Sequence, residues 1–166
     1  ALKITQEKGY AEKDTTADVE GHDACRKICI LASLAFGKHV YPNQVETEGI
    51  TNITLEDVSY IENAGGVIKL LGQIKYINDN EIAAFVSPAV VYNGSQLASV
   101  KDVFNAILVR GDAVGDVCFY GPGAGKLPTA SAVVADIIDC AKHSERKKIF
   151  GWGAGNEDYV VDYKER

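Results

Sequence analysis

Apolar residues recur along this chain with two different periods, and the change of period outlines its elements. From about His22 to Phe36, Cys25, Ile28, Cys29, Ala32, Ala35 and Phe36 fall on one face at helical spacing, and Gly37 ends the run. The second half of that helix, Ile28 to Phe36, carries no charge, which predicts burial on most sides. Residues 55–64 form a shorter amphipathic helix, capped by Thr54 and stopped by Gly65-Gly66. Val67–Ile77 and Ile82–Tyr92 read as two strands joined at Asn78-Asp79-Asn80, a hairpin pattern. Phe104–Val109 and Val117–Tyr120 are two further strands around the turn Arg110-Gly111-Asp112. Residues 126–142 are helical again, with Pro128 in the first turn, where a missing N–H does little harm.

Residues 2–8 look like the end of a helix stopped by Gly9, and residues 10–21 read as a polar, acidic loop. The pattern does not define the tail from Lys147, where Gly151, Gly153 and Gly155 surround Trp152. Strands and helices are segregated more than alternated. The expected class is therefore α+β, a mixed, mostly antiparallel sheet covered by helices. Both strands of the 67–92 hairpin carry long apolar runs, so each face of that sheet needs cover from helices or a partner subunit.

A chain of 166 residues fits one compact domain, here 1–146 followed by the tail 147–166. With 17 basic against 23 acidic residues the net charge is −6, which disfavours nucleic-acid binding; Arg146-Lys147-Lys148 is the one short basic cluster. No apolar run approaches the ~20 residues of a membrane span. Neither a signal-peptide pattern nor a Cys-x-x-Cys pair is present, so a cytoplasmic, reducing setting is expected. The sequence contains no methionine, even at position 1, which fits a segment excised from a longer polypeptide.

Candidate chemistry concentrates between Gly9 and Lys27. The carboxylates Glu12, Asp14, Asp18 and Asp23 stand at the start of the apolar helix or just ahead of it, with a lysine one turn in. Asp23 and Lys27 share a helix face at i, i+4. Lys27 is the last charge before nine uncharged residues, so it should lie at the mouth of an apolar interior. Desolvation there would favour the neutral amine and suit it to proton transfer. Against this, such pairs are commonly surface salt bridges, and acids at a helix start commonly serve the dipole and the cap.

The run Gly9-Tyr10-Ala11-Glu12-Lys13-Asp14, followed by Asp18-Val19-Glu20-Gly21-His22-Asp23-Ala24-Cys25-Arg26-Lys27, closely resembles the signature of homoserine dehydrogenases. The similarity continues through Glu48-Gly49-Ile50, Ile68-Lys69-Leu70-Leu71-Gly72 and Phe119-Tyr120-Gly121-Pro122-Gly123-Ala124-Gly125. It ends in Pro128-Thr129-Ala130-Ser131-Ala132-Val133-Val134-Ala135-Asp136. Motifs matching in order over most of 2–142 are far more specific than any one of them.

The resemblance implies the catalytic and dimerisation domain of an NAD(P)-dependent enzyme. That enzyme interconverts L-homoserine and L-aspartate 4-semialdehyde on the route to threonine, isoleucine and methionine. It implies Lys27 as the proton carrier, Glu12 and Asp23 holding substrate with Asp18 close by, and Gly9 and Gly125 against the cofactor. It also implies a homodimer and a topology like the C-terminal domain of glyceraldehyde-3-phosphate dehydrogenase. One departure stands out: where the family usually has Pro after the first Asp of the loop, this chain has Thr15, which predicts a looser loop with unchanged chemistry.

Gly121–Gly125 is neither a P-loop nor a Gly-x-Gly-x-x-Gly unit, because Leu127 follows Gly125-Lys126. Read alone, a tight strand–helix turn is favoured over a ligand loop, in which backbone amides at the helix start would face an anion or a cofactor. The dinucleotide-binding domain, a further substrate-side lysine and a monovalent-cation site would lie outside this chain, which alone is expected to be inactive.

Three rival readings follow from the residues. Cysteine catalysis, as in related semialdehyde dehydrogenases, is disfavoured: Cys25, Cys29 and Cys140 fall at apolar helix positions and Cys118 in a strand. A metal site at His22, Cys25 and Cys29 lacks a fourth ligand at suitable spacing, and His39 and His143 read as ordinary surface histidines. The third reading is an assembly module with no activity of its own.

Overall fold

The computed structural model of the chain describes residues 14–146 and 149–162. Two compact units result: residues 15–90 with the tail 149–162 form one, and 91–146 form the body of the other.

In the first unit, a four-residue turn of helix, α1 (Thr16–Val19), leads into α2 (His22–Phe36). α2 ends where Gly37 turns left-handed at φ 74 and its N–H bonds Ser33 O, as the glycine predicts. A 3₁₀ turn at Pro42–Gln44 and a two-residue strand, β1 (Glu46–Thr47), precede α3 (Leu55–Asn63). The hairpin β2 (Gly66–Asn78) and β3 (Glu81–Tyr92) follows, turning at Asp79-Asn80 where Asn80 N–H donates to Asn78 Oδ1. The sheet order is β1-β3-β2, with β1 parallel to β3 in the register Glu46↔Phe85 and Thr47↔Val86.

The core lies between α2 and this sheet. Cys25, Ile28, Cys29 and Ala32 of α2 meet Ile82, Ala84 and Val86 of β3, with Val40, Val45 and Tyr159 completing the cluster. Gly72 of β2 lets the strand close on Ile28; a Cβ there would stand 3.1 Å from the Ile28 Cβ. Ser33, fully buried, donates its hydroxyl to Cys29 O at 2.7 Å and accepts from Val40 N at 2.9 Å, so its burial leaves no orphan.

The structure corrects three expectations. The 10–21 segment, expected to be loop throughout, contains α1. α2 is not buried on most sides: Ile30 and Leu34 are 53% and 55% exposed, because only its sheet-facing stripe finds cover in this chain. His39 is no simple surface residue. Its Nδ1 accepts the Trp152 indole N–H at 2.9 Å, and Tyr41 packs on its ring.

The tail, undefined by pattern, is ordered by the first unit. Lys38 pairs with Gly153 and Ile82 with Val160, Gln44 Nε2 donates to Asn156 O at 2.8 Å, and Tyr159 is 2% exposed beneath Lys38. Those contacts join residues far apart in the sequence, which no local pattern encodes.

The second unit holds the antiparallel hairpin β4 (Phe104–Gly111) and β5 (Gly115–Pro122), then α4 (Lys126–Lys142). Arg110 and Asp116 face each other across it in a two-pronged ion pair at 2.7 and 3.1 Å, and Phe104 stacks on Tyr120. Together the sheets are mixed and the class is α+β. Among the described residues no helix is long and apolar enough to cross a membrane.

Candidate functional site

The elbow between α1 and α2 carries the candidate residues. Thr15 O accepts from Asp18 N and Val19 N, closing α1 without a side-chain cap. Gly21, at φ 79, then reverses the chain into α2. Two constraints select glycine there: the left-handed backbone, and a Cβ position only 3.2 Å from both Thr47 Cγ2 and Val86 Cγ1. The elbow is thus seated on the β1–β3 pair, with Asp18 exposed on one side and Asp23 in the first turn of α2 on the other.

Lys27 Nζ lies 2.7 Å from Asp23 Oδ2, the i, i+4 pair expected from spacing. Both side chains are open, at 58% for Lys27 and 45% for Asp23. The water-poor mouth expected around Lys27 is therefore not supplied by the described residues; the apolar run behind it faces the sheet, while Lys27 points outward. An exposed pair of this kind contributes ~0.5 kcal/mol or less, so a substrate can enter it at little cost. One turn deeper, burial pushes the Cys29 thiol up to about 12, with Cys25 adding to the effect. A thiol held that far from ionisation is a packing group, not a nucleophile.

The remaining candidates divide. Glu12 and Gly9 lie outside the described residues. Gly125, in the other unit, is the N-cap of α4 at φ 113, and no side-chain hydrogen bond caps the helix start. Gly123 sits against Asn105, whose amide overlaps the position of any Cβ there. His22 is exposed while Cys25 and Cys29 are buried, and among the described residues no group of three or more His, Cys, Asp or Glu is placed to hold a metal.

Residue-level reading assigned no role to Glu48-Gly49-Ile50. In the structure this segment touches the elbow: Ile50 N donates to Val19 O at 2.8 Å, and the Thr51 hydroxyl donates to the Glu20 carboxylate. Its one signal in the sequence was its place among the motifs of the family resemblance.

A family model described as Homoserine dehydrogenase matches residues 1–138. The homoserine dehydrogenase of Bacillus subtilis (strain 168) is 44% identical over 142 residues, 86% of this chain and 33% of its own length. That of Corynebacterium glutamicum is 46% identical over 153 residues, covering 90% and 34%. A crystal structure of S. aureus homoserine dehydrogenase at pH 7.5 superposes with a TM-score of 0.77 at 44% identity, over 88% of this chain and 36% of that one. One from Thiobacillus denitrificans gives 0.80 at 41% identity, over 97% and 38%. The chain spans about a third of the length of the curated relatives it matches. Family model, sequence relatives and solved structures agree: the chain belongs to the homoserine dehydrogenase family.

Proposed function

We propose that this chain is the substrate-binding, catalytic portion of an NAD(P)-dependent homoserine dehydrogenase interconverting L-homoserine and L-aspartate 4-semialdehyde. The observation that carries the reading is the Asp23–Lys27 pair, 2.7 Å apart and open to solvent at the end of the carboxylate-bearing elbow. Family membership disfavours a mere assembly module. Residues 1–146 constitute the catalytic and dimerisation domain, of the glyceraldehyde-3-phosphate dehydrogenase C-terminal type, and two copies associate.

The chemistry follows from charge and reach. Homoserine carries an ammonium group, and Glu12, Asp18 and Asp23 supply the carboxylates to bind it. Lys27 donates its proton to the carbonyl oxygen of the semialdehyde as that oxygen gains charge, and takes it back from the hydroxyl in the reverse direction. Asp23 keeps the amine oriented between turnovers. When bound, NAD(P) supplies the hydride transfer itself. On this chain Gly9 and Gly125 are the residues that would border it. The start of α4, without a side-chain cap, fits that role, because Gly125 offers backbone without a Cβ. No Gly-x-Gly-x-x-Gly lies in the sequence, so these glycines would form a wall of the cofactor site and not its phosphate cradle.

In the complete enzyme, Lys27→Ala should lower kcat by ~100-fold or more, the usual range for a lost general acid, while the KM for NAD(P) holds. Steady-state assay in both directions measures this. A Lys27→Ala enzyme within a few-fold of wild-type kcat would remove the lysine from the mechanism.

A further inference from the structure

We propose that Gly49 is a positioning residue for the substrate carboxylates, and that its missing side chain sets how far Asp18 stands from Asp23. The inference rests on the reading of Asp18, Asp23 and Lys27 given above. The parallel pairing of β1 continues one residue beyond the strand, where Glu48 N donates to Val86 O at 2.8 Å. Gly49 follows, and the end of α1 packs directly on its Cα. A Cβ at position 49 would overlap Val19 O and lie 2.6 Å from Glu20 Cα and 3.1 Å from Glu20 C. These are backbone atoms, so no side-chain rotation relieves the overlap. On the far side of the contact, Ile50 N holds Val19 O and the Thr51 hydroxyl holds the Glu20 carboxylate.

Val19 and Glu20 are the residues between Asp18 and the Gly21 reversal. Beyond Gly21, the chain is fixed by Thr47 and Val86, which crowd its Cα, and by the buried start of α2 at Cys25. The Asp23 end of the elbow is therefore anchored to the core, whereas the Asp18 end rests on Gly49. Adding one methyl at position 49 forces residues 19–20 to retreat by about an ångström and carries Asp18 with them, leaving Asp23 and Lys27 in place. Misplacement on that scale is enough to cost a reaction one to two orders of magnitude.

The test uses the complete enzyme. Gly49→Ala is expected to raise the KM for homoserine ~10-fold or more, with a smaller loss of kcat and an unchanged KM for NAD(P). A purely structural glycine would reduce the folded fraction and melting temperature without moving the homoserine KM of the enzyme that remains. Should Gly49→Ala fail to fold, Thr51→Val decides: it deletes the hydroxyl bond to Glu20 without adding bulk, and a ~2- to 5-fold rise in homoserine KM is expected. A homoserine KM within twofold of wild type in folded Gly49→Ala, or in Thr51→Val if that variant must decide, overturns the proposal. Lys27→Ala assayed alongside separates the two ideas. Surviving kcat there fells the site reading, whereas a dead Lys27→Ala beside a kinetically wild-type Gly49→Ala fells only the positioning role.

Discussion

Cys25 and Cys29 stand one turn apart on the core face of α2, each 5% exposed, whereas Cys140 on α4 is open to solvent. With its thiol held near 12, Cys29 is ionised to about one part in ten thousand at pH 8. Iodoacetamide at that pH should therefore modify Cys140 and spare Cys29 until denaturant opens the core. Peptide mass spectrometry resolves the two sites, and alkylation of Cys29 at a rate comparable with Cys140 would contradict the packing described. The core role of Cys25 and Cys29 was readable from their spacing, because burial on a single helix face is a local property, but Cys140, read as another apolar-face position, is exposed because nothing described covers α4. Ser33 was not readable: its two hydrogen bonds depend on where the chain returns at Val40. The exposure of Lys27 was misread for a related reason. An uncharged run says that a helix has an apolar side, but the direction of the residue preceding it depends on where the sheet lies.

α3 shows how much of an element can be local. Thr54 and Asp57 form a reciprocal cap: Asp57 N donates to Thr54 Oγ1 at 3.2 Å, while Thr54 N and its hydroxyl donate to Asp57 Oδ2 at 2.9 and 2.7 Å. Those bonds hold the Asp57 carboxyl below its ordinary range. A depressed carboxyl stabilises the fold above its unfolded pKa, and that contribution disappears as pH falls through the folded value. Thr54→Ala should cost about 1 kcal/mol near neutrality. Urea unfolding at a series of pH values should show the difference between the two proteins narrowing in acid. A gap that widens as pH falls would mean that the carboxyl is not held as described. Elements punctuated by such nearby residues, α2 by Gly37, α3 by Thr54 and the β2–β3 turn by Asn78, stood in the sequence almost to the residue. β1 did not, for its two residues are a strand only because Phe85 and Val86 lie beside them. α1 is similar, a single turn whose last carbonyl, Val19 O, accepts from Ile50 N and whose end packs on Gly49.

At the scale of the molecule, apolar surface remains that the described elements do not cover. Ile30 and Leu34 of α2 are exposed, as are Val133, Val134, Ile137 and Ile138 along α4, which buries no residue. Contiguous apolar surface of this kind marks places where other protein packs. The proposed homodimer would cover part of it, and the portion of the relatives that this chain does not match would cover more. Two outcomes follow for the 166-residue chain on its own. Light scattering over a range of concentrations should find it at least dimeric, and a monomer throughout would argue against assembly through this segment. Mixed with homoserine and NADP, it should produce no reduced nicotinamide detectable by absorbance. The proton transfer proposed for Lys27 would be useless without a dinucleotide held in line, and the sequence has no phosphate-binding glycine fingerprint to hold one. Turnover by the isolated chain would mean that Gly9, Gly125 and their neighbours bind the cofactor unaided, and the division of labour proposed between this segment and the rest of the enzyme would have to be abandoned.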